Sequence, residues 1–135
     1  TLNNTLSLHD ALPISLDGAL RDAAGRHPDQ LAVSLHSHNL TYGQLEARAG
    51  RIGAALVELG VVPGEPVGLL GRKSPEAIAA IFGILRAGAA YMPLDPDTPV
   101  LRRERMLVRS GARCVVTVDM ADEGGRRQAR RVLSL

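Results

Sequence analysis

Leu85-Arg86-Ala87-Gly88-Ala89-Ala90-Tyr91-Met92-Pro93-Leu94-Asp95-Pro96 spells a helix end, a turn and a strand in that order. Gly88 supplies the left-handed backbone that stops a helix. Ala89 and Ala90 are small enough to let the chain return close to a sheet. Tyr91-Met92 enters a strand, and Pro93 has no amide to give a ladder, so that strand is short or lies at an edge. Asp95 and Asp97 lie between prolines, where turn formation explains them more simply than paired acid chemistry.

Downstream, Thr98-Pro99 predicts a capped, proline-started helix to about Arg109, with weak apolar periodicity. Gly111 ends it, and Cys114 to Val118 reads as a buried strand. Asp119 to Arg131 has no apolar period and reads as loop or frayed helix. Val132 to Leu135 looks like a strand cut off by the chain end.

Upstream the same rhythm repeats. Ser74-Pro75-Glu76 opens a helix with a cap, a first-turn proline and an acid near the positive end of the dipole. Ile78, Ile81, Phe82 and Leu85 are its expected inner face. Pro66 to Leu70 suits a buried parallel strand. Thr41-Tyr42-Gly43-Gln44 is a capping box, and Leu45, Ala49, Ile52, Leu56 and Leu59 then form one apolar stripe. Gly60 supplies the left-handed end, and Pro63 prevents the helix from resuming. Before that, Ser15 caps a helix to about Gly25, with Leu16, Leu20 and Ala23 or Ala24 on one face. Leu31, Val33 and Leu35 alternate as a half-buried strand; Ser37-His38-Asn39 turns, and Leu40 closes a hairpin. Strand and helix in alternation predict an α/β fold, a layered and largely parallel sheet with flanking helices.

Composition narrows the function. The chain has 135 residues, enough for a real core, but aromatics are only 2% and Trp is absent, so Leu, Val, Ile and Ala must build it. Residues 1–101 carry seven bases against ten acids and residues 102–135 nine arginines against four acids, for a net charge of only +2. That balance demands no nucleic-acid or membrane partner, and without aromatic platforms the basic tail reads as a solvated surface. A single cysteine, Cys114, excludes an intramolecular disulfide and suits a reducing cytoplasm. The apolar run Ala77 to Leu85 is far too short to span a bilayer, and no signal peptide is expected.

Candidate chemistry is sparse. Gly83 to Gly88 has phosphate-loop spacing, but Ala89 and Ala90 follow where Lys and Ser are needed. Lys73-Ser74 precedes a helix start, where free amides can hold an anion, although capping by Ser74 is the simpler role. His36 and His38 share a strand face without a third ligand nearby, so a solvated hairpin is expected. Cys114 has only Arg113 as a basic neighbour and reads as a buried structural thiol. Tyr91 is expected to anchor structure more than to touch substrate. No catalytic, cofactor-binding or metal-ligating residue is therefore assigned.

Several segments resemble the core motifs of nonribosomal-peptide-synthetase adenylation domains, within the adenylate-forming ligases. Leu40-Thr41-Tyr42-Gly43-Gln44-Leu45 is similar to L-T-Y-x-E-L, with Gln44 for Glu. Leu85 to Pro96 is similar to L-K-A-G-x-A-Y-V-P-L-D-P, with Arg86 for Lys and Met92 for Val. Its family positions are Leu85, Arg86, Ala87, Gly88, Ala90, Tyr91, Pro93, Leu94, Asp95 and Pro96. Leu59 to Val67 resembles L-G-V-x-P-G-D-x-V. Pro99, Arg102, Met106 and Leu107 resemble P-x-x-R-x-x-x-M-L, with Arg103 where Leu is usual and Thr98 where an aromatic is often found.

The resemblance implies an enzyme that joins an amino acid to ATP with Mg²⁺, releases pyrophosphate, and passes the acyl group to the phosphopantetheine thiol of a carrier protein. It covers about residues 16–118. The implied phosphate loop, substrate pocket and lid lysine all follow the second motif, and Lys73 matches none of them. The expectation is an N-terminal fragment, inactive alone and poorly soluble because its last strand leaves an open edge. Residues 1–15, with a run resembling a translated sequencing adapter (Ser7 to Ile14), are expected to be a non-native leader. Residues 119–135 are expected to be a variable loop and truncated strand. The alternatives are a fragment of an acyl-CoA or aryl-acid ligase, and a free-standing α/β binding module.

Overall fold

The computed structural model describes residues 15–119 and 131–135. Helix α1 (Leu16–Arg26) precedes a hairpin, β1 (Leu31–Leu35) and β2 (His38–Thr41), and then α2 (Tyr42–Glu58). Strand β3 (Pro66–Leu70), α3 (Pro75–Arg86), β4 (Ala90–Leu94), α4 (Val100–Ser110), β5 (Cys114–Thr117) and β6 (Arg131–Ser134) complete the order. The four later strands form one sheet in the order β4-β3-β5-β6, every pair parallel.

This order has a physical cause. The β3–α3–β4 crossover moves one way along the sheet, and β4–α4–β5 moves back past β3. Right-handed crossovers in opposite directions put their helices on opposite faces. Alternation along the strands sorts the core accordingly. Val67, Leu69, Cys114 and Val116 pack with α2 and α3 residues in the larger cluster. Leu70, Leu94 and Val115 pack with Leu107 of α4 in a smaller one. Pro93 lies in an edge strand, as its missing amide requires.

Local signals set the helix ends. Ser15, Thr41 and Ser74 each accept a first-turn amide, and Gln44 returns the bond at Thr41. Gly60, Gly88 and Gly111 take positive φ at helix ends. The long stripe of α2 is buried as expected at Leu45, Ala49, Ile52 and Leu56.

Five expectations need correction. Leu16 is 61% exposed, because α1 docks through Leu20 and an ion pair from Asp17 instead. The β1–β2 register shifts between Leu31 and Val33, so Ala32 and Val33 both turn inward and the alternation breaks. The hairpin turn is His36-Ser37, with His36 at φ 54, and His38 already belongs to β2. The buried face of α3 holds Ala77, Ala79, Ala80, Gly83 and Ile84, while Ile78, Ile81 and Phe82 flank it half-buried. Small residues are needed there because α2 comes so close: a Cβ on Gly83 would lie 2.5 Å from Cγ2 of Ile52. Finally, Thr98 does not cap α4; Pro99 occupies that position and no side chain bonds the first turn.

Candidate functional site

Open parallel sheets offer a crevice beyond the carboxyl ends of their strands. Here a cleft of about 410 Å³ lies beyond β3 and β4, walled by Val33 and Leu35 of the hairpin, Ile78 and Ile81 of α3, and Pro93 and Leu94 of β4. Its polar rim is Ser34, Arg72, Lys73 and Ser74. The chain leaves β3 tightly: a Cβ on Gly71 would lie 2.9 Å from the Val118 carbonyl oxygen.

The rim groups are already engaged, with one exception. Arg72 donates to both carboxylate oxygens of Asp97, at 2.8 and 3.2 Å. That bidentate bond, and then the Asp97 charge, hold the guanidinium pKa above its ordinary value. The Asp97 amide donates to Oδ1 of Asp95 at 2.8 Å, and the Thr98 amide to the Asp95 carbonyl at 3.0 Å, so the acids shape a turn. The Ser74 hydroxyl accepts from the Ala77 amide at 3.0 Å, as a cap. Lys73 is exposed. The cleft thus has apolar walls and a committed arginine, and it does not assemble a nucleophile with a base.

The motif residues divide between core and clasp. Leu40 and Leu45 are buried in the larger cluster, and Tyr42 packs half-buried against it. The Thr41 amide donates to Oε1 of Gln44 at 2.9 Å, and the Gln44 amide to Oγ1 of Thr41 at 3.2 Å. At the second motif, Leu85 is half-buried and Ala87 buried. The Gly88 carbonyl accepts from Gly64 at 2.8 Å, and the Ala90 amide donates to Glu65 at 3.0 Å. These two bonds join the loop before β3 to the turn before β4. Ala90 and Pro93 are exposed on the edge strand, Tyr91 is 40% exposed beside them, and Leu94 is buried. Tyr91 is therefore no buried anchor. Arg102 is exposed, whereas its neighbour Arg103 is buried and donates to the Pro96 carbonyl at 3.1 Å.

The sequence reading missed the role of Arg86. Its side chain is 14% exposed and donates to Asp17 at 2.8 Å and Glu46 at 2.6 Å, so one guanidinium joins three helices. Burial opposes its charge, but the bonds from Glu46 and Asp17 outweigh it and raise its pKa. Its partners lie 69 and 40 residues away, beyond any local spacing rule. Of the remaining candidates, His36 and His38 are exposed, Cys114 is buried, and Gly83 to Gly88 is a helix end.

Mg²⁺ binds converging hard oxygen ligands. Among the described residues, no three of His, Cys, Asp and Glu form a group that could hold a metal ion. Among them, too, no helix is long and apolar enough to cross a membrane.

Residues 20–134 match the family described as AMP-binding enzyme. Phosphinothricin tripeptide synthetase PhsC of Streptomyces viridochromogenes is 45% identical over 103 residues, 76% of this chain and 10% of that protein. Surfactin synthase subunit 1 of Bacillus subtilis is 40% identical over 110 residues, 78% of this chain and 3% of that protein. The chain therefore spans a tenth or less of the length of these two relatives. Among solved structures, the nonribosomal peptide synthetase FmoA3 superposes with a TM-score of 0.83 at 40% identity, over 88% of this chain and 13% of that one. The N-terminal subdomain of Klebsiella oxytoca NpsA gives a TM-score of 0.76 over 89% of this chain and 31% of that one, and at 23% identity it shares the fold.

Proposed function

The chain belongs to the AMP-binding enzyme family, and from that premise we propose that it forms the opening layers of an amino-acid-activating adenylation unit. The whole unit condenses an amino-acid carboxylate with ATP, releases pyrophosphate, and hands the acyl group to a carrier-protein thiol. In this reading residues 16–118 are scaffold. The Arg86 ion pairs tie three helices together, and the motif residues from Leu85 to Pro96 fix the turn into the edge strand. Residues downstream supply the phosphate loop, the substrate pocket and the lysine. The unit works in the cytoplasm, in keeping with the single buried Cys114.

One observation carries the reading: the motifs fall in family order on a backbone that follows FmoA3 at 40% identity. One FmoA3 form is bound to AMPPNP and another to an α-methyl-L-serine adenylate, which supports ATP use and an amino-acid substrate. An artificially fused adenylation–PCP protein among the neighbours supports a carrier partner. The aryl-acid alternative is less supported, since NpsA in complex with 3-hydroxyanthranilyl-AMSN is 23% identical.

Pyrophosphate exchange tests the proposal in two arms. The 135 residues alone, with ATP, Mg²⁺ and a panel of amino acids, are expected to give background exchange. A chimera in which residues 16–118 replace the matching part of FmoA3 is expected to keep FmoA3's amino-acid preference and measurable exchange. Exchange by the chain alone, or a folded chimera that has lost exchange, overturns it.

A further inference from the structure

The outer face of α4 is the part of the described surface that the fold leaves unexplained. Arg103 and Leu107 point inward, one turn apart. The opposite side carries Leu101, 70% exposed, and Val108, 62% exposed. They are seven residues apart and so lie on one line along the helix. Beside that line runs a second one of Arg102, Arg105 and Arg109, all exposed. Among the described residues, no carboxylate forms an ion pair with these three. An apolar strip with an arginine strip alongside is thus presented to solvent by a helix whose inner side is packed on the sheet.

We propose that this face docks an acidic protein surface: a helix or strand bearing its own apolar line flanked by carboxylates. Charge complementarity carries the choice. Three guanidiniums on one side attract carboxylates and fix the register, while Leu101 and Val108 supply the area to be dried. A single nucleic-acid strand would want aromatic platforms, and no aromatic residue lies in α4. A bilayer would want a broad apolar arc with cations at its margins. Only two large apolar residues face outward along this line, because the inner arc is spent on the core.

The test is titration of the isotope-labelled 135-residue chain with four probes. These are a lactam-bridged helical peptide with a leucine line flanked by glutamates, the same peptide with lysines for glutamates, and phosphatidylglycerol vesicles alongside duplex DNA. The acidic peptide is expected to shift the amides of Leu101, Arg102, Arg105, Val108 and Arg109. Arg105→Glu is expected to weaken it roughly tenfold. The triple reversal Arg102→Glu, Arg105→Glu, Arg109→Glu is expected to invert the preference toward the lysine peptide. If the triple variant does not fold, Arg105→Glu with both peptides gives the same reading. Equal binding of both peptides, shifts confined to other elements, no binding, or a preference for vesicles or DNA overturns the proposal.

Discussion

One face of the sheet is covered by helices α2 and α3, packed so closely that Gly53 and Gly83 meet: a Cβ on Gly53 would lie 3.1 Å from the Gly83 carbonyl oxygen. Among the described residues, the other face is covered by α4, over a cluster of Leu70, Leu94, Leu107, Ala112 and Val115. The helices of the first face are capped and tied together through Arg86. Helix α4 has no side-chain cap and keeps Leu101 and Val108 in water. The contrast teaches that one alternating α/β rhythm can build faces that are packed, capped and tied differently.

Core truncation should show the contrast most strongly. Leu56→Ala, at a side chain with no exposure, is expected to cost about 4 kcal/mol, and Leu107→Ala about 2.5 kcal/mol, because the smaller cluster can collapse more easily. Urea unfolding of both variants measures the pair; equal losses would erase the difference between the faces. Gly83→Ala comes next, at about 2 kcal/mol. The overlap with Ile52 exceeds the gain of ~1 kcal/mol that alanine brings to a helix. A stabilised Gly83→Ala would mean that the two helices have room to separate.

The arginine clasps give a subtler comparison. Arg86→Met leaves Asp17 and Glu46 facing each other with little solvent, and is expected to cost about 1–2 kcal/mol. Arg72→Gln, at an exposed pair, should leave the thermal midpoint unchanged. Arg86 stays cationic through the moderately alkaline range, because its hydrogen bonds to Glu46 and Asp17 outweigh burial and raise its pKa above the ordinary arginine value. Raising pH to 10 should therefore leave the Arg86 contribution intact. Smallest is the cap comparison: Thr41→Ala is expected to cost about 1 kcal/mol, and Thr98→Ala less than about 0.5 kcal/mol. A large loss at Thr98 would return the capping role to that residue.

Much of the architecture was legible because punctuation is local. Thr41-Tyr42-Gly43-Gln44, Ser74-Pro75 and the glycines at 60, 88 and 111 act within one turn, and each fell where the residues placed it. Pro93 correctly marked an edge. What depends on distant neighbours was not legible. Apolar periodicity points the largest side chains of α3 inward, but the proximity of α2 reserves most of that face for alanine and glycine. The bulge near Leu31 and the three-helix clasp at Arg86 also need partners that no window contains. Arg103 was seen as a departure from a motif leucine, yet its guanidinium finds the Pro96 carbonyl from inside. The cleft beyond β3 arises from three separated segments, so no motif announced it.

Strand order has one more consequence, for how the polypeptide is born. Within the parallel sheet the inner strand β3 emerges first, and both its neighbours, β4 and β5, are made later. Until they arrive, Val67, Leu69 and Leu70 have no sheet partner and two open flanks. Nascent chains stalled just after β3 should therefore be cut by protease and bound by chaperones, and resistance should appear in two steps as the flanking strands leave the ribosome.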